Sequence, residues 1–189
     1  MLRRYLMLYF SIVTISFAIG QISTSAQHKT FPDKWLGVWE GTLHIYNHQN
    51  VLQSIPMTLE NLRTDSTDIF QWVIIYGEDK IKGKRDYILK TKDKSKGHYV
   101  VDEKNGILLD AYVLENKLIS HFEVMGNQLT SIYERQEDKM VFEIIVNKSV
   151  HSQVSGNLKA EGQDDIPEVK SYPIIGYQKA ILTRKISTD

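Results

Sequence analysis

The segment KWLGVWEGTLHIY, residues 34–46, places two tryptophans, two glycines, Leu43 and Ile45 at alternate positions. Trp35 and Trp39 fall on the same side of an extended chain, since successive side chains of a strand point to opposite faces. Gly37 and Gly41 share that side, where glycine lets a strand bend sharply. A period of two predicts a β-strand with one buried face, and this strand opens the folded part of the chain.

The same period continues through most of the chain, and no segment sustains the period of a helix. Asn105-Gly106 is a preferred two-residue hairpin turn, because both of its positions favour positive φ. Asn116-Lys117, Gly126-Asn127 and Asp138-Lys139 occupy the places where the next three hairpins turn. Ten strands are predicted, at 35–46, 53–62, 68–78, 84–92, 97–104, 107–115, 118–125, 128–136, 139–147 and 172–184.

The four turns predict which strand residues share a face, since a two-residue turn sets the register of its hairpin. The acidic residues Asp110, Glu123, Glu134 and Glu143 fall on one face, which we expect to meet water. The opposite, buried face is predicted to collect mainly uncharged residues. Its members include Val100, Asp102, Ala111, Ser120, Phe122, Ser131, Tyr133 and Arg135.

Ten antiparallel strands with one apolar face can form a sandwich or a closed barrel, and a barrel removes both exposed edges. If every connection runs up and down, the last strand, 172–184, lies antiparallel to the first and can pair with it. That pairing places Arg184 at the same end as Trp39. We therefore predict an all-β fold, a ten-stranded up-and-down antiparallel β-barrel.

Two short features connect this architecture to a known family. Gly37-Val38-Trp39 resembles the Gly-x-Trp signature on the first strand of lipocalins and other calycins, and Arg184 resembles the arginine that packs over that tryptophan. The resemblance implies a small-molecule-binding barrel, similar to lipocalins and fatty-acid-binding proteins, that is closed near Trp39. Gly37, Trp39, Gly41 and Arg184 would then form the barrel closure, with the arginine stacked on the indole.

The buried face includes small residues where a solid core would favour Leu or Ile. Ala111, Ser120 and Ser131 lie on adjacent strands, with Phe122 and Tyr133 beside them, and hydroxyl groups can anchor a ligand in an apolar pocket. Asp102 is expected at the open end, framed by loops 47–52, 79–83 and 148–171. The alternative is that large side chains from other strands fill the lumen, namely Phe70, Trp72, Ile74 and Tyr76.

The N-terminus has the form of a signal peptide. Arg3 and Arg4 precede the apolar run 5–19, and cleavage after Ala26 or after Gly20 fits the small residues that follow. We expect a signal peptide at 1–26, an N-terminal segment at 27–34 and one barrel domain at 35–189. The mature protein would be periplasmic or secreted and would have no membrane contact after cleavage.

Composition excludes several functions. The chain has no cysteine, so disulfides and thiolate metal sites are absent, and its formal net charge of zero argues against binding nucleic acid. No histidine occurs in 172–185, where haem barrels of this kind carry their ligand, and no nucleophile motif is present. We predict no metal, no cofactor and no catalytic residue, although an enzyme at the barrel mouth stays an alternative.

The sequence thus predicts an exported barrel that binds a small, mainly apolar molecule in its lumen. A different class of function also fits. The barrel could be filled and contact a protein partner through apolar residues on its outer face. Those residues are Tyr112, Leu114, Ile119, Ile132 and Ile145.

Overall fold

The computed structural model describes residues 30–157 and 166–186 of the 189-residue chain. Ten antiparallel strands close into one barrel, in the order β1-β12-β9-β8-β7-β6-β5-β4-β3-β2, and this confirms the predicted fold. The predicted signal peptide, 1–26, lies outside the described residues. The barrel strands are β1 (Gly37–Tyr46), β2 (Val51–Arg63), β3 (Ile69–Tyr76), β4 (Lys84–Asp93), β5 (His98–Asp102), β6 (Leu108–Leu114), β7 (Lys117–Val124), β8 (Asn127–Gln136), β9 (Lys139–Lys148) and β12 (Ile174–Arg184).

Two further strands lie in segment 148–171, which the sequence indicated to be an irregular polar loop. β10 (Gln153–Ser155) and β11 (Val169–Ser171) pair as an antiparallel arm, so that prediction was wrong. Each strand has three residues, too few to produce a readable alternation. All six strand residues of the arm are exposed, so it projects from the barrel end between β9 and β12.

Three of the predicted hairpin turns lie one residue earlier than expected. The turn pairs are Glu115-Asn116, Met125-Gly126 and Glu137-Asp138, and the first residue of each has φ between 49° and 59°. Each hairpin register is therefore displaced by two residues, as in the pairing of Ser120 with Ser131 rather than with Tyr133. A displacement of two keeps every side chain on its predicted face, because the side-chain period of a strand is two.

The β5–β6 hairpin is different, and it corrects the predicted faces of Val100 and Asp102. Asp102 pairs with Leu108, so five residues, 103–107, connect the strands instead of the pair Asn105-Gly106 alone. The register is displaced by one, which turns Tyr99 and Val101 into the barrel. Val100 and Asp102 consequently lie on the outer wall.

The barrel has two unlike ends. At the closed end, the N-terminal segment Thr30–Leu36 covers part of the opening, and a short 3₁₀ turn at Lys94–Lys96 connects β4 to β5. At the other end, which we call the mouth, lie loops 47–50, 77–83 and 103–107 and the base of the β10–β11 arm. Within the described chain, no helix has the length and hydropathy that crossing a membrane requires.

Candidate functional site

The half of the lumen nearer the closed end is filled with side chains. Trp72 and Tyr133 meet edge to face with ring centroids 5.1 Å apart, and Phe142 lies 4.7 Å from Tyr133 on the other side. All three are at most 6% exposed. Aromatic pairs of this geometry add to the stabilisation from burial alone. These rings form a solid floor beneath the upper lumen.

The half of the lumen nearer the mouth is lined by apolar side chains that face inward yet keep part of their surface accessible. They alternate with outward residues along their strands, as the pleat requires. The lining residues are Ile55, Tyr76, Tyr87, Leu109, Phe122, Leu129 and Ile144.

The residues predicted to line a ligand site divide between these two halves. Ala111 and Ser120 are 0% and 5% exposed, and Tyr133 packs against Trp72, so the lumen is filled at their level. The sequence left open the alternative that large side chains such as Trp72 fill the lumen, and at this level they do. Ser131 and Phe122 face inward and stay partly accessible, at the boundary between the floor and the upper lumen.

Asp102 does not join this group, because the β5–β6 register places it on the outer wall. Its carboxylate accepts a hydrogen bond from Lys90 Nζ at 2.7 Å and another from the backbone N–H of Lys104 at 2.8 Å. The Lys90 ammonium holds the pKa of Asp102 below its usual value, and the Lys104 amide adds to that effect. The carboxylate therefore fastens the β4–β5 wall and the following loop.

Three tyrosines bring hydroxyl groups into the lumen. Burial raises the pKa of Tyr76 to about 12 and raises the pKa of Tyr133 well above its ordinary value. Burial also raises the pKa of Tyr87, which lies on β4 opposite Trp72. The exposed Arg85, at the rim on β4, lowers the pKa of both Tyr76 and Tyr87 and thus opposes these shifts. The lumen therefore holds neutral phenols, with one cation at its edge.

We expect the barrel to lose stability steeply in alkali. The unfolded chain releases tyrosine protons from about pH 10, whereas Tyr76 holds its proton to about pH 12 and Tyr133 longer. The unfolded state then binds fewer protons, so the free energy of unfolding falls as pH rises through this range. At about pH 11 the loss should exceed roughly 1 kcal/mol for each buried phenol.

Urea unfolding at about pH 8 and about pH 11 measures this loss. Tyr133→Phe removes one of the titrating groups, so its stability should depend less on pH than that of the wild type. An identical pH dependence of the two proteins would contradict the assignment of the effect to Tyr133.

Sequence reasoning named Tyr76 only as a filler and missed Tyr87 and Arg85. These two strands give only a partial signal, because Trp72, Val73 and Ile74 are three consecutive buried residues and Lys84, Arg85 and Asp86 are three consecutive exposed ones. The observed register pairs Trp72 with Tyr87 and Ile74 with Arg85.

The closed end is organised around Trp39, which is fully buried. Its indole N–H donates to the Trp35 carbonyl at 2.9 Å, and β1 pairs Trp39 directly with Arg184. The Arg184 guanidinium lies 5.5 Å from the Trp39 ring centroid and donates to the Leu36 carbonyl. A second guanidinium, that of Arg135, lies 4.9 Å from the same ring. Two cations therefore cover the indole, whereas the family resemblance implied only Arg184.

Both glycines beside Trp39 sit where a side chain would collide. A Cβ at Gly37 would lie 2.8 Å from Arg184 Nε, and the φ of Gly37 is 138°, a value that other residues rarely adopt. A Cβ at Gly41 would lie 2.3 Å from the carbonyl oxygen of Ile181 on β12. Glycine at these positions thus lets the arginine and the last strand approach β1.

No family model matches this sequence, and no curated protein matches it. Solved structures do match the fold. An S-type phycobiliprotein lyase, CPES from Guillardia theta, aligns with a TM-score of 0.50 at 8% identity, over 82% of this chain and 91% of that one. A point mutant of the fluorescent protein UnaG aligns with a TM-score of 0.43 at 14% identity, over 82% of this chain and 99% of that one.

The closed barrel of ten antiparallel strands and the alignment with the lyase define the fold. It is a calycin-like β-barrel, as the Gly-x-Trp feature indicated. Within the described residues, no group of three or more His, Asp or Glu side chains is arranged to hold a metal ion.

Proposed function

We propose that the protein is exported and that it binds a small, mainly apolar molecule in the upper half of its barrel. The observation that carries this proposal is the contrast between the two halves of the lumen. Below, the rings of Trp72, Tyr133 and Phe142 are almost completely buried. Above, inward apolar side chains such as Phe122 and Leu129 keep accessible surface. Covering that surface with a ligand would gain about 25 cal/mol per Å² of apolar area.

The polar groups of the upper lumen fit this class of ligand. Hydroxyls of Ser131, Tyr76 and Tyr87 supply a few hydrogen-bonding positions among apolar walls, as in most small-molecule sites. The phenols of these tyrosines are neutral at physiological pH, since even an unperturbed tyrosine titrates near pH 10, so they favour an uncharged or weakly polar molecule. The phycobiliprotein lyase is similar to this chain in fold alone, so the ligand is to be identified by experiment.

Export is supported by the N-terminal sequence. Two arginines precede an apolar run, and small residues follow it, which is the arrangement of a secretory signal. The absence of cysteine from the whole sequence is compatible with an oxidising compartment, where free thiols would react. Intact mass of the protein recovered from its host locates the cleavage site, and a mass that includes residues 1–26 would contradict export with cleavage.

A matched pair of variants tests the lumen. The neutral fluorescent probe N-phenyl-1-naphthylamine should bind saturably to the wild type with an increase in emission. Ser131→Phe places a ring in the upper lumen and should weaken this binding at least about fivefold, because the added ring occupies the ligand volume. Ile132→Phe adds a ring to the outer wall of the same strand and should leave the affinity unchanged.

Near-UV circular dichroism shows whether each variant is folded. Binding in the lumen would be contradicted if both folded variants bound the probe equally more weakly than the wild type, or if neither bound it more weakly. Native mass spectrometry of protein purified from its own host then identifies a co-purifying molecule.

A second candidate function is contact with a protein partner through the outer wall. Tyr112 and Leu114 on β6 are 43% and 60% exposed, and Leu108 on the same strand is 63% exposed. The other residues predicted for this surface, Ile119, Ile132 and Ile145, are half-buried. A stable dimer in a sedimentation experiment, dissociated by Leu114→Lys, would favour this function.

A further inference from the structure

Among the described residues, the N-terminal segment covers one side of the closed end of the barrel. The N-terminal segment packs through Phe31, whose ring lies 4.7 Å from that of Trp35 and 4.8 Å from that of Tyr99. An ion pair of 2.6 Å between Asp33 and Arg63 fastens the segment to the end of β2. A cavity of about 1060 Å³ lies between this segment and the turns that follow β6 and β8, where Arg135 forms part of its wall. We call it the closed-end groove.

Arg135 is a cation without a carboxylate partner among the described residues. Its Nε and Nη1 atoms are buried and make no hydrogen bond there, although the guanidinium stacks on Trp39. A buried donor without an acceptor is costly, and native proteins rarely leave one. Burial and the neighbouring Arg184 lower the pKa of Arg135, while Glu137 and Asp138 on the adjacent turn oppose the shift. The arrangement favours an anion beside this guanidinium.

Two other inward side chains show the same property near the same end. Asn61, fully buried near the end of β2, has neither its Nδ2 nor its Oδ1 atom in a hydrogen bond within the described chain. The hydroxyl of Thr91, near the end of β4, is likewise buried and unpaired there. Polar atoms without partners thus concentrate at the closed end of a barrel whose lumen floor is apolar.

The other charges of the groove restrict what it can accept. Arg63 is engaged by Asp33, Lys94 pairs with Asp68 at 3.0 Å, and Lys34 is a further cation in the groove wall. Glu115 and Glu137 stand in the groove wall and repel multiply charged anions such as phosphate. A single negative charge is therefore favoured, and Nη2 of Arg135, which is not among its buried atoms, offers a charge-assisted hydrogen bond to a carboxylate. The aromatic rings of Phe31 and Trp35 add an apolar surface next to it.

We propose that the closed-end groove is a second binding site, separate from the lumen, for a small molecule with one carboxylate and an apolar body. The carboxylate accepts hydrogen bonds from Arg135, and the apolar body lies against Phe31, Trp35 and Val113. This site does not depend on a ligand in the lumen, because the buried floor of Trp72, Tyr133 and Phe142 separates the two ends.

The three tryptophans of the chain report separately on the closed end and on the lumen floor. Sodium benzoate is the probe, and the indole N–H resonances of ¹⁵N-labelled protein are the readout. Benzoate should shift the resonances of Trp35 and Trp39 saturably and leave that of Trp72, in the lumen floor, unchanged. Benzamide has nearly the same shape without the charge and should shift none of them.

Variants test which side chain binds the carboxylate of benzoate. Arg135→Gln should weaken benzoate binding at least about tenfold, because a charge-assisted pair is lost. Lys94→Gln removes another cation of the same groove, one that Asp68 already engages on the exposed surface, and should leave the affinity within about twofold. Glu137→Gln removes a repelling carboxylate and should strengthen binding.

The site would be overturned by a benzoate shift confined to Trp72, by equal shifts with benzamide, by no saturable shift, or by unchanged affinity in Arg135→Gln. If Arg135→Gln does not fold, Arg135→Lys keeps the positive charge near Trp39 but lacks the guanidinium Nη2 that donates to the carboxylate. Benzoate should then bind severalfold more weakly than to the wild type, and equal affinity would overturn the proposal.

Discussion

Trp39→Ala should lower the free energy of unfolding by about 4 kcal/mol, the middle of the range for truncation of a buried aromatic side chain. The indole is 0% exposed, and its N–H donates to the Trp35 carbonyl at 2.9 Å. Removing the ring also takes the π face from two guanidinium groups, those of Arg135 and Arg184. The two cations would then face each other across a void.

Urea unfolding monitored by far-UV circular dichroism measures the change. Ile81→Ala, at a side chain that is 90% exposed, serves as the control and should alter stability by less than about 0.5 kcal/mol. Trp39→Phe keeps most of the ring and should lose less than half as much as the alanine variant. If Trp39→Ala is no less stable than Ile81→Ala, the indole does not hold the closed end together.

Gly41→Ala should cost about 3 kcal/mol or prevent folding, although it adds a single methyl group. The new Cβ would lie 2.3 Å from the Ile181 carbonyl oxygen and 3.0 Å from Leu182 Cδ2. The first of these atoms belongs to the backbone of the strand that pairs with β1. It cannot rotate away, so β1 and β12 would have to separate.

The chain offers a matched control for this variant. Gly176 also lies in a barrel strand, and a Cβ there would meet Val146 Cβ at 3.5 Å, an ordinary contact. Gly176→Ala should therefore stay within about 0.5 kcal/mol of the wild type, with a gain expected from the lower entropy of the unfolded chain. Equal losses at the two glycines would show that strand flexibility, rather than the approach of β12, requires Gly41.

Alternation was sufficient to predict the barrel, because burial on one face is enforced along every strand. The predicted turns were less accurate, yet three errors left the faces intact. In the β6–β9 hairpins the turn moved by one residue, which displaces the register by two, as in the pairing of Tyr133 with Phe142. Side chains such as Ser131 therefore stayed on the inner face that the sequence indicated.

The β5–β6 hairpin shows why the sequence pattern did not predict the faces of every strand. The pair Asn105-Gly106 is a strong turn signal, but the chain turns through 103–107, with positive φ at Lys104 and Gly106. An odd number of loop residues inverts the faces, and nothing local distinguishes it from an even number. Asp102 was thus assigned to the lumen, whereas its carboxylate pairs with Lys90 on the outer wall.

The candidate sites depend on contacts between strands that are distant in sequence. Trp72 on β3 reaches across the lumen to Tyr133 on β8 and fills the space that small residues left. Arg135 on β8 stacks on Trp39, which lies on β1, the first strand in the sequence. A single sequence shows which residues point inward, but it does not show which of them meet.

The closure of the barrel has a consequence for the order of folding. Nearly all neighbouring strands are joined by short connections, whereas β1 and β12 pair across almost the whole described chain. Their contact carries the largest loop-closure entropy of the sheet, so we expect the hairpins to form early and the ring to close last. Until that step, two strand edges are free to pair with another chain, and the risk of intermolecular exchange is confined to this short-lived open sheet.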